Sequence, residues 1–170
     1  YAQKKTEKKT IILSKASANY ISWVANENII ILDAYKINNT DSILLLADAI
    51  ILTGGEDINP LQYDDTLNLK VCGPIDYLRD TLELKLFNYA IKNKLPLVGI
   101  CRGMQNLVLR EGQELDLVEG HIATRHKLIG NGDSEVPGEV NSFHRLGIYT
   151  CPKNYNVLAF AEDNSIEAIV

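Results

Sequence analysis

Leu95-Pro-Leu-Val-Gly-Ile-Cys-Arg-Gly-Met-Gln105 is the stretch on which the reading of this chain turns. Leu97, Val98 and Ile100 are apolar and mostly β-branched, which predicts a short buried strand. Gly99-Ile-Cys101-Arg-Gly103 follows, and then residues that suit a helix. This is the G-x-nucleophile-x-G spacing of a strand–turn–helix elbow, in which the nucleophile sits on a tight turn and its neighbours two before and two after must be small. A cysteine there stands clear of the sheet and faces a helix N-terminus, whose partial positive charge favours thiolate over thiol. The competing reading is a buried structural cysteine between two incidental glycines.

Working outward, strands are predicted at 11–13, 29–32 and 49–52, with helices at 18–25, 40–47, 76–92 and from Arg102 to about Arg110. Thr40 or Asp41 can cap the second helix. The 76–92 helix is the strongest, with Leu78, Leu82, Leu86, Tyr89 and Ala90 at steps of three and four. The unbroken apolar run Ile29–Leu32 suits a parallel strand covered on both faces. Strands alternating with helices imply βαβ units and a mainly parallel α/β sheet, whose ligands sit at the carboxyl ends of the strands. Gly54-Gly55 and Cys101 both fall at such ends, which favours the elbow over an incidental cysteine. Glycines at 112, 120, 130, 132 and 138 break residues 111–138 into loops. Val140, Phe143 and Ile148-Tyr149 suggest short extended pieces, and 155–160 and 166–170 read as closing strands around the turn-like Glu162-Asp-Asn164. Residues 1–10, polar and rich in lysine, read as a disordered tail before a single domain over 11–170.

The chain has 170 residues, 46% hydrophobic and 23% charged, which is enough for one core without staples. A net charge of −5 argues against a general nucleic-acid or membrane-surface binder, since both need a basic face. No apolar run approaches the roughly 20 residues needed to span a bilayer. Cys72, Cys101 and Cys151 are an odd number without C-x-x-C spacing, so neither a disulfide framework nor a zinc site is expected. No acidic cluster has calcium or magnesium spacing either, so no metal is expected, and no cofactor. Tyr1-Ala-Gln with the polar run behind it resembles the end left by signal-peptide removal, or an artificial boundary. A cytoplasmic and a periplasmic or secreted location both fit.

Two glycines after the 49–52 strand let backbone amides point outward without a Cβ in the way. With the amide of Arg102, those of Gly54 and Gly55 can form an oxyanion hole beside Cys101, against the plainer reading of a turn after a strand. Leu52-Thr-Gly-Gly-Glu-Asp-Ile-Asn-Pro60, Asp76-Tyr-Leu-Arg-Asp80, the elbow itself, Val140-Asn-Ser-Phe-His144 and Ile166-Glu-Ala-Ile169 occur in an order that resembles the class I glutamine amidotransferase superfamily. Within it they are most similar to the γ-glutamyl hydrolase branch, which includes γ-glutamyl-γ-aminobutyrate hydrolases. The resemblance implies a flavodoxin-like three-layer fold. It also implies that Cys101 attacks the γ-carbonyl of a γ-glutamyl amide, that Gly54, Gly55 and Arg102 hold the oxyanion, and that water releases glutamate from a thioester. Gln105, Ser142, Phe143 and His144 are the positions it implies for substrate binding.

That family carries its catalytic histidine and supporting glutamate in a Trp-His-Pro-Glu-like motif after the last matched strand, and no such motif occurs here. The glycine-rich segment behind the nucleophile helix is replaced by Leu109-Arg-Glu-Gly-Gln-Glu114. The expectation is either a longer protein or a relative that has lost its base. His144 matches the family's substrate-side histidine, while His121 and His126 are expected to be solvated. Arg79-Asp80 reads as an ion pair or a helix-terminal charge, Glu167 as a solvated or a site residue, and Glu56-Asp57 as orienting the glycine turn or wet. Three functions follow: a γ-glutamyl amide hydrolase acting on a small molecule, a non-catalytic γ-glutamyl-binding relative, and a glutaminase subunit of an amidotransferase. A homo-oligomer is compatible with all three.

Overall fold

The first strand begins two residues before the sequence pattern predicts. β1 is Lys9–Leu13, so Lys9 and Thr10, assigned above to the tail, are strand. Asp48 explains the extension: its carboxylate accepts from Lys9 Nζ and from the Thr10 amide, each at 2.8 Å. The structure is a computed structural model that describes residues 8–63, 65–66 and 68–170; of the expected tail, residues 1–7 lie outside the described residues.

The chain divides into two compact units, one running to Ile58 and including Pro74–Met104, the other comprising Asn59–Gly73 and Gln105–Val170. In the first, β1 is followed by α1 (Ala18–Val24), β2 (Ile29–Asp33), α2 (Thr40–Leu44), β3 (Ala49–Leu52), α3 (Tyr77–Asn93), β4 (Leu97–Gly99) and α4 (Arg102–Arg110), which carries the chain into the second unit. The strands form a parallel sheet in the order β2-β1-β3-β4. Ile12, Leu13, Ile50 and Leu52 of its two central strands are fully buried, as are Leu86 and Ala90 of α3. Such unbroken apolar runs are what a parallel strand covered on both faces requires.

The expected helices form, with altered ends. Asp76 caps α3 by accepting from the Arg79 amide, and Lys94 closes it in the left-handed conformation at φ 54°. Asn39, rather than Thr40 or Asp41, caps α2, which stops at Leu44 instead of 47. The apolar side of α1 is not buried, and Trp23 is 63% exposed. β2 and β4 are less enclosed than their composition predicts, because both are edges of the described sheet: Ile30 is 43% and Val98 45% exposed.

The second unit corrects the reading of 111–138 as loops. It contains β5 (Asp116–Leu117), β6 (Ile122–Lys127), β7 (Ile129–Gly130), β8 (Glu139–Phe143), β9 (Leu146–Gly147), β10 (Val157–Phe160) and β11 (Ile166–Ile169). β6 pairs antiparallel with β8, β5 with β9, and β10 lies between β11 and β7. β6 reads Ile-Ala-Thr-Arg-His-Lys, with one large aliphatic residue; pairing with β8, not hydrophobic alternation, makes it a strand.

Candidate active site

Cys101 stands between β4 and α4, exposed, at φ 51°. A non-glycine residue in the left-handed region is strained, by about 1–2 kcal/mol, and such strain gathers at functional sites. The flanking glycines are there for space. A Cβ on Gly99 would come within 2.5 Å of the Gly103 carbonyl, and one on Gly103 would run into the Leu52 carbonyl oxygen at the end of β3. The backbone before the nucleophile thus packs on the backbone after it, and both rest on the neighbouring strand. This is the strand–turn–helix elbow geometry that the spacing predicts.

The Thr53-Gly-Gly turn lies beside it: a Cβ on Gly54 would be 3.5 Å from Cys101 Cβ. The Gly54 amide donates to Tyr20 Oη at 2.9 Å, so Tyr20, on α1, occupies a donor that sequence reasoning reserved for an oxyanion. Gly55 takes φ 152°, and a Cβ there would collide with the Arg79 guanidinium.

That guanidinium belongs to a buried charge network beneath the turn and the elbow. Arg79 Nη2 donates to the carbonyls of Thr53 (2.7 Å) and Gly54 (2.9 Å) and to Thr53 Oγ1. Its Nη1 donates to Glu56 at 2.7 Å and its Nε to Glu83 at 2.9 Å. Arg102, fully buried, reaches Asp80 and Glu83 from the first turn of α4. Ser14 adds a hydroxyl hydrogen bond to Glu83. Arg79 and Asp80 are therefore ion-paired, as one of the two readings had it, but with other residues of a buried network rather than with each other. They hold, through Arg102 and Glu83, the two loops that flank Cys101. Burial and the nearby Arg79 push the Arg102 guanidinium down to about 10 against the raising effect of Asp80, so it stays charged at neutral pH. Burial would raise Glu56, but hydrogen bonds from Lys15, its own backbone and Arg79 prevail and hold it at about 2. Glu56 thus orients the glycine turn through Arg79.

The remaining candidates lie in the second unit. Gln105 is buried and donates to the Leu146 carbonyl at 2.6 Å, and Ser142 donates to the His121 carbonyl at 2.7 Å. Alternation along β8 sends Phe143 to the opposite face, where it is 67% exposed, so Ser142, Phe143 and His144 are not brought together. His144 instead joins His121, His126 and Glu167. The expectation that His121 and His126 are solvated is wrong: their side chains are 7% and 10% exposed. Their rings lie 4.5 Å apart, and His144 is 4.9 Å from His121. Burial would raise Glu167, but these three histidines outweigh it and hold the carboxyl below its ordinary value. Glu167, with its side chain 13% exposed, faces these histidines and is not solvated.

Comparison with known proteins agrees with the fold and the family resemblance. The family model described as Peptidase C26 matches residues 2–129 and 113–170, in two overlapping stretches. The glutamine amidotransferase-like protein YvdE of Lactococcus lactis is 32% identical over 161 residues, covering 83% of this chain and 67% of that protein. The γ-glutamyl-CDP-amidate hydrolase of Campylobacter jejuni is 30% identical over 123 residues, 72% of this chain and 55% of that protein. A solved structure from Thermoplasma acidophilum, described as a GMP synthase component, superposes with a TM-score of 0.66 at 16% identity, covering 96% of this chain and 78% of its own. A glutamine amidotransferase structure from Methylobacillus flagellatus gives 0.65 at 15%, covering 98% and 66%. These two likenesses show the flavodoxin-like α/β fold. With the motifs and the elbow geometry, the family match places the chain in the Peptidase C26 family, the γ-glutamyl hydrolase branch of the class I glutamine amidotransferases.

Proposed function

We propose that this amidotransferase-like hydrolase cleaves γ-glutamyl amide bonds through a thioester on Cys101. The observation that carries the reading is the elbow: an exposed cysteine held at φ 51° between two glycines whose backbones leave no room for a Cβ. In this reading Cys101 Sγ, as thiolate, attacks the γ-carbonyl carbon. The carbonyl oxygen takes up negative charge against backbone amides of the Gly54-Gly55 turn and Arg102. For Gly54 to take part, the incoming oxygen displaces Tyr20 Oη. The C–N bond then breaks, and the leaving amine carries off the proton given up by the thiol. Water attacks the thioester, releases glutamate and returns a proton to sulfur. Arg79 and Glu56 act indirectly, by fixing the carbonyls of the turn so that its amides stay oriented. The matching C. jejuni protein is named for a γ-glutamyl substrate, which supports the same acyl half here.

The test is intact-protein mass spectrometry after incubation with a glutamine-like diazoketone, alongside hydrolysis of a panel of γ-glutamyl amides. A single adduct on Cys101, and loss of both adduct and turnover in Cys101→Ala, are expected. Wild-type hydrolysis by Cys101→Ala would sink the reading.

A further inference from the structure

The second unit gathers His121 from just before β6, His126 from within it, His144 from just after β8 and Glu167 from β11. We infer that these four side chains form a binding site for a divalent transition-metal ion, with zinc the best fit. The inference does not rest on the γ-glutamyl reading: it uses neither Cys101 nor any residue of the first unit, although it takes His144, which the resemblance implied for substrate binding.

The geometry is that of a ligand set. Facing atoms are His121 Nδ1, His126 Nε2, His144 Nε2 and Glu167 Oε1, all within 4.8 Å of one another. His121 Nδ1 is 3.4 Å from His144 Nε2, and Glu167 Oε1 lies 3.6, 3.6 and 3.8 Å from the facing nitrogens of His121, His144 and His126. Tetrahedral zinc with bonds near 2.0–2.1 Å needs ligand atoms about 3.3 Å apart, so a small contraction closes the site. Imidazole and carboxylate together suit zinc.

The outward nitrogens point the same way. His144 Nδ1 faces the Leu146 carbonyl at 3.0 Å and His126 Nδ1 the Lys127 carbonyl at 3.2 Å; a carbonyl can only accept, so both nitrogens carry protons. His121 Nε2 lies 3.2 Å from the Asp163 carboxylate. This is the arrangement that orients metal-ligating histidines and fixes their tautomer. With the facing nitrogens unprotonated, three imidazole lone pairs and a carboxylate are directed at one small volume, which a metal cation would satisfy together. His126 Nε2 is buried and has no hydrogen-bond partner. Buried polar atoms seldom lack one, and an unoccupied ion position is a recognised reason.

The strand irregularity has the same consequence. His121 and His126 are five apart and would point to opposite faces of a regular strand. The register of β6 on β8 shifts between Ile122 and Thr124, and Ala123 sits at φ 53°. This bulge adds one residue and returns His121 to the face of His126.

The test is titration of zinc chloride into the chelator-stripped full chain at neutral pH, with stoichiometry from native mass spectrometry. One zinc per chain with Kd at or below about 1 μM is expected. Loss of a mere outer-shell partner costs roughly 10–100-fold, so Asp163→Asn should weaken binding in that range, and His126→Ala and Glu167→Gln by about 100-fold or more. Replacing all three cysteines by serine should leave the affinity unchanged. Should a ligand variant fail to fold, the cobalt-loaded wild-type chain decides: the intense visible bands of a tetrahedral site are expected, and a pale six-coordinate spectrum overturns the proposal. So does absence of tight binding, which would mean that the cluster holds a proton instead. Unchanged affinity in His126→Ala and Glu167→Gln, or loss in the serine variant, also overturns it.

Discussion

At Cys101 the chain accepts a backbone conformation that costs stability in order to present one sulfur atom. φ 51° is penalised for any residue with a Cβ and not for glycine. Cys101→Gly should therefore be more stable than Cys101→Ala by about 1 kcal/mol in urea unfolding, although both lack the thiol. Equal stability would show that the turn relaxes when the thiol is removed. Gly103 is constrained from outside, by the Leu52 carbonyl. Gly103→Ala should cost about 1–3 kcal/mol, as overpacking does, and should shift β3 against α4. These positions were legible in the sequence because a tight turn dictates its own residue types. Tyr20 was not. Its hydroxyl reaches Gly54 across 34 residues, and nothing local in Ala18–Val24 signals it.

At the scale of elements, the β6–β8 pair departs most from the sequence pattern. Periodicity fails there because one inward position is threonine and the other histidine, with a bulge between the two histidines. Ala123 in that bulge is another non-glycine residue in the left-handed region, at φ 53°, so Ala123→Gly should raise the thermal midpoint, with a gain of up to about 1 kcal/mol. Deleting Ala123 should do the reverse at the site. It removes the extra residue, turns His121 to the outer face, and should abolish tight zinc binding while His126 stays in place. Retained binding would mean that the bulge has no part in assembling the cluster. α3 was legible in its length and cap because its apolar residues recur at helical spacing. That its first turns also carry Arg79, Asp80 and Glu83 into a buried network was not, since charged residues near a helix start ordinarily face water.

For the molecule as a whole, charge governs the response to acid. The folded value of Glu56 is about 2, below its ordinary 4.5. A depressed carboxyl contributes stability above its unfolded value and loses it as pH falls through the folded one. The contribution of Glu56 is thus complete above about pH 4.5 and disappears between there and about 2. Asp48 and Asp76, both lowered, act in the same direction. The urea midpoint should fall across this window, and Glu56→Gln should flatten that part of the curve; an unchanged slope would place the acid sensitivity elsewhere. The buried network should respond to mutation far more than any surface pair. Arg102→Met removes the guanidinium that faces Asp80 and Glu83 at full burial, with an expected loss of about 3–5 kcal/mol in unfolding free energy.

The sequence by itself determined the parallel α/β sheet, the elbow and the place of Cys101. Each follows from short-range rules: unbroken β-branched runs for covered strands, three-and-four spacing for helices, and small residues where a turn crowds the backbone. Tertiary structure alone decided which charges are buried together, which acceptor already holds the Gly54 amide, and that three histidines and a glutamate converge. Those facts depend on strand pairing and on a one-residue bulge. Because side chains alternate along a strand, a single extra residue moves a histidine from one face to the other, and no local pattern in the chain records it.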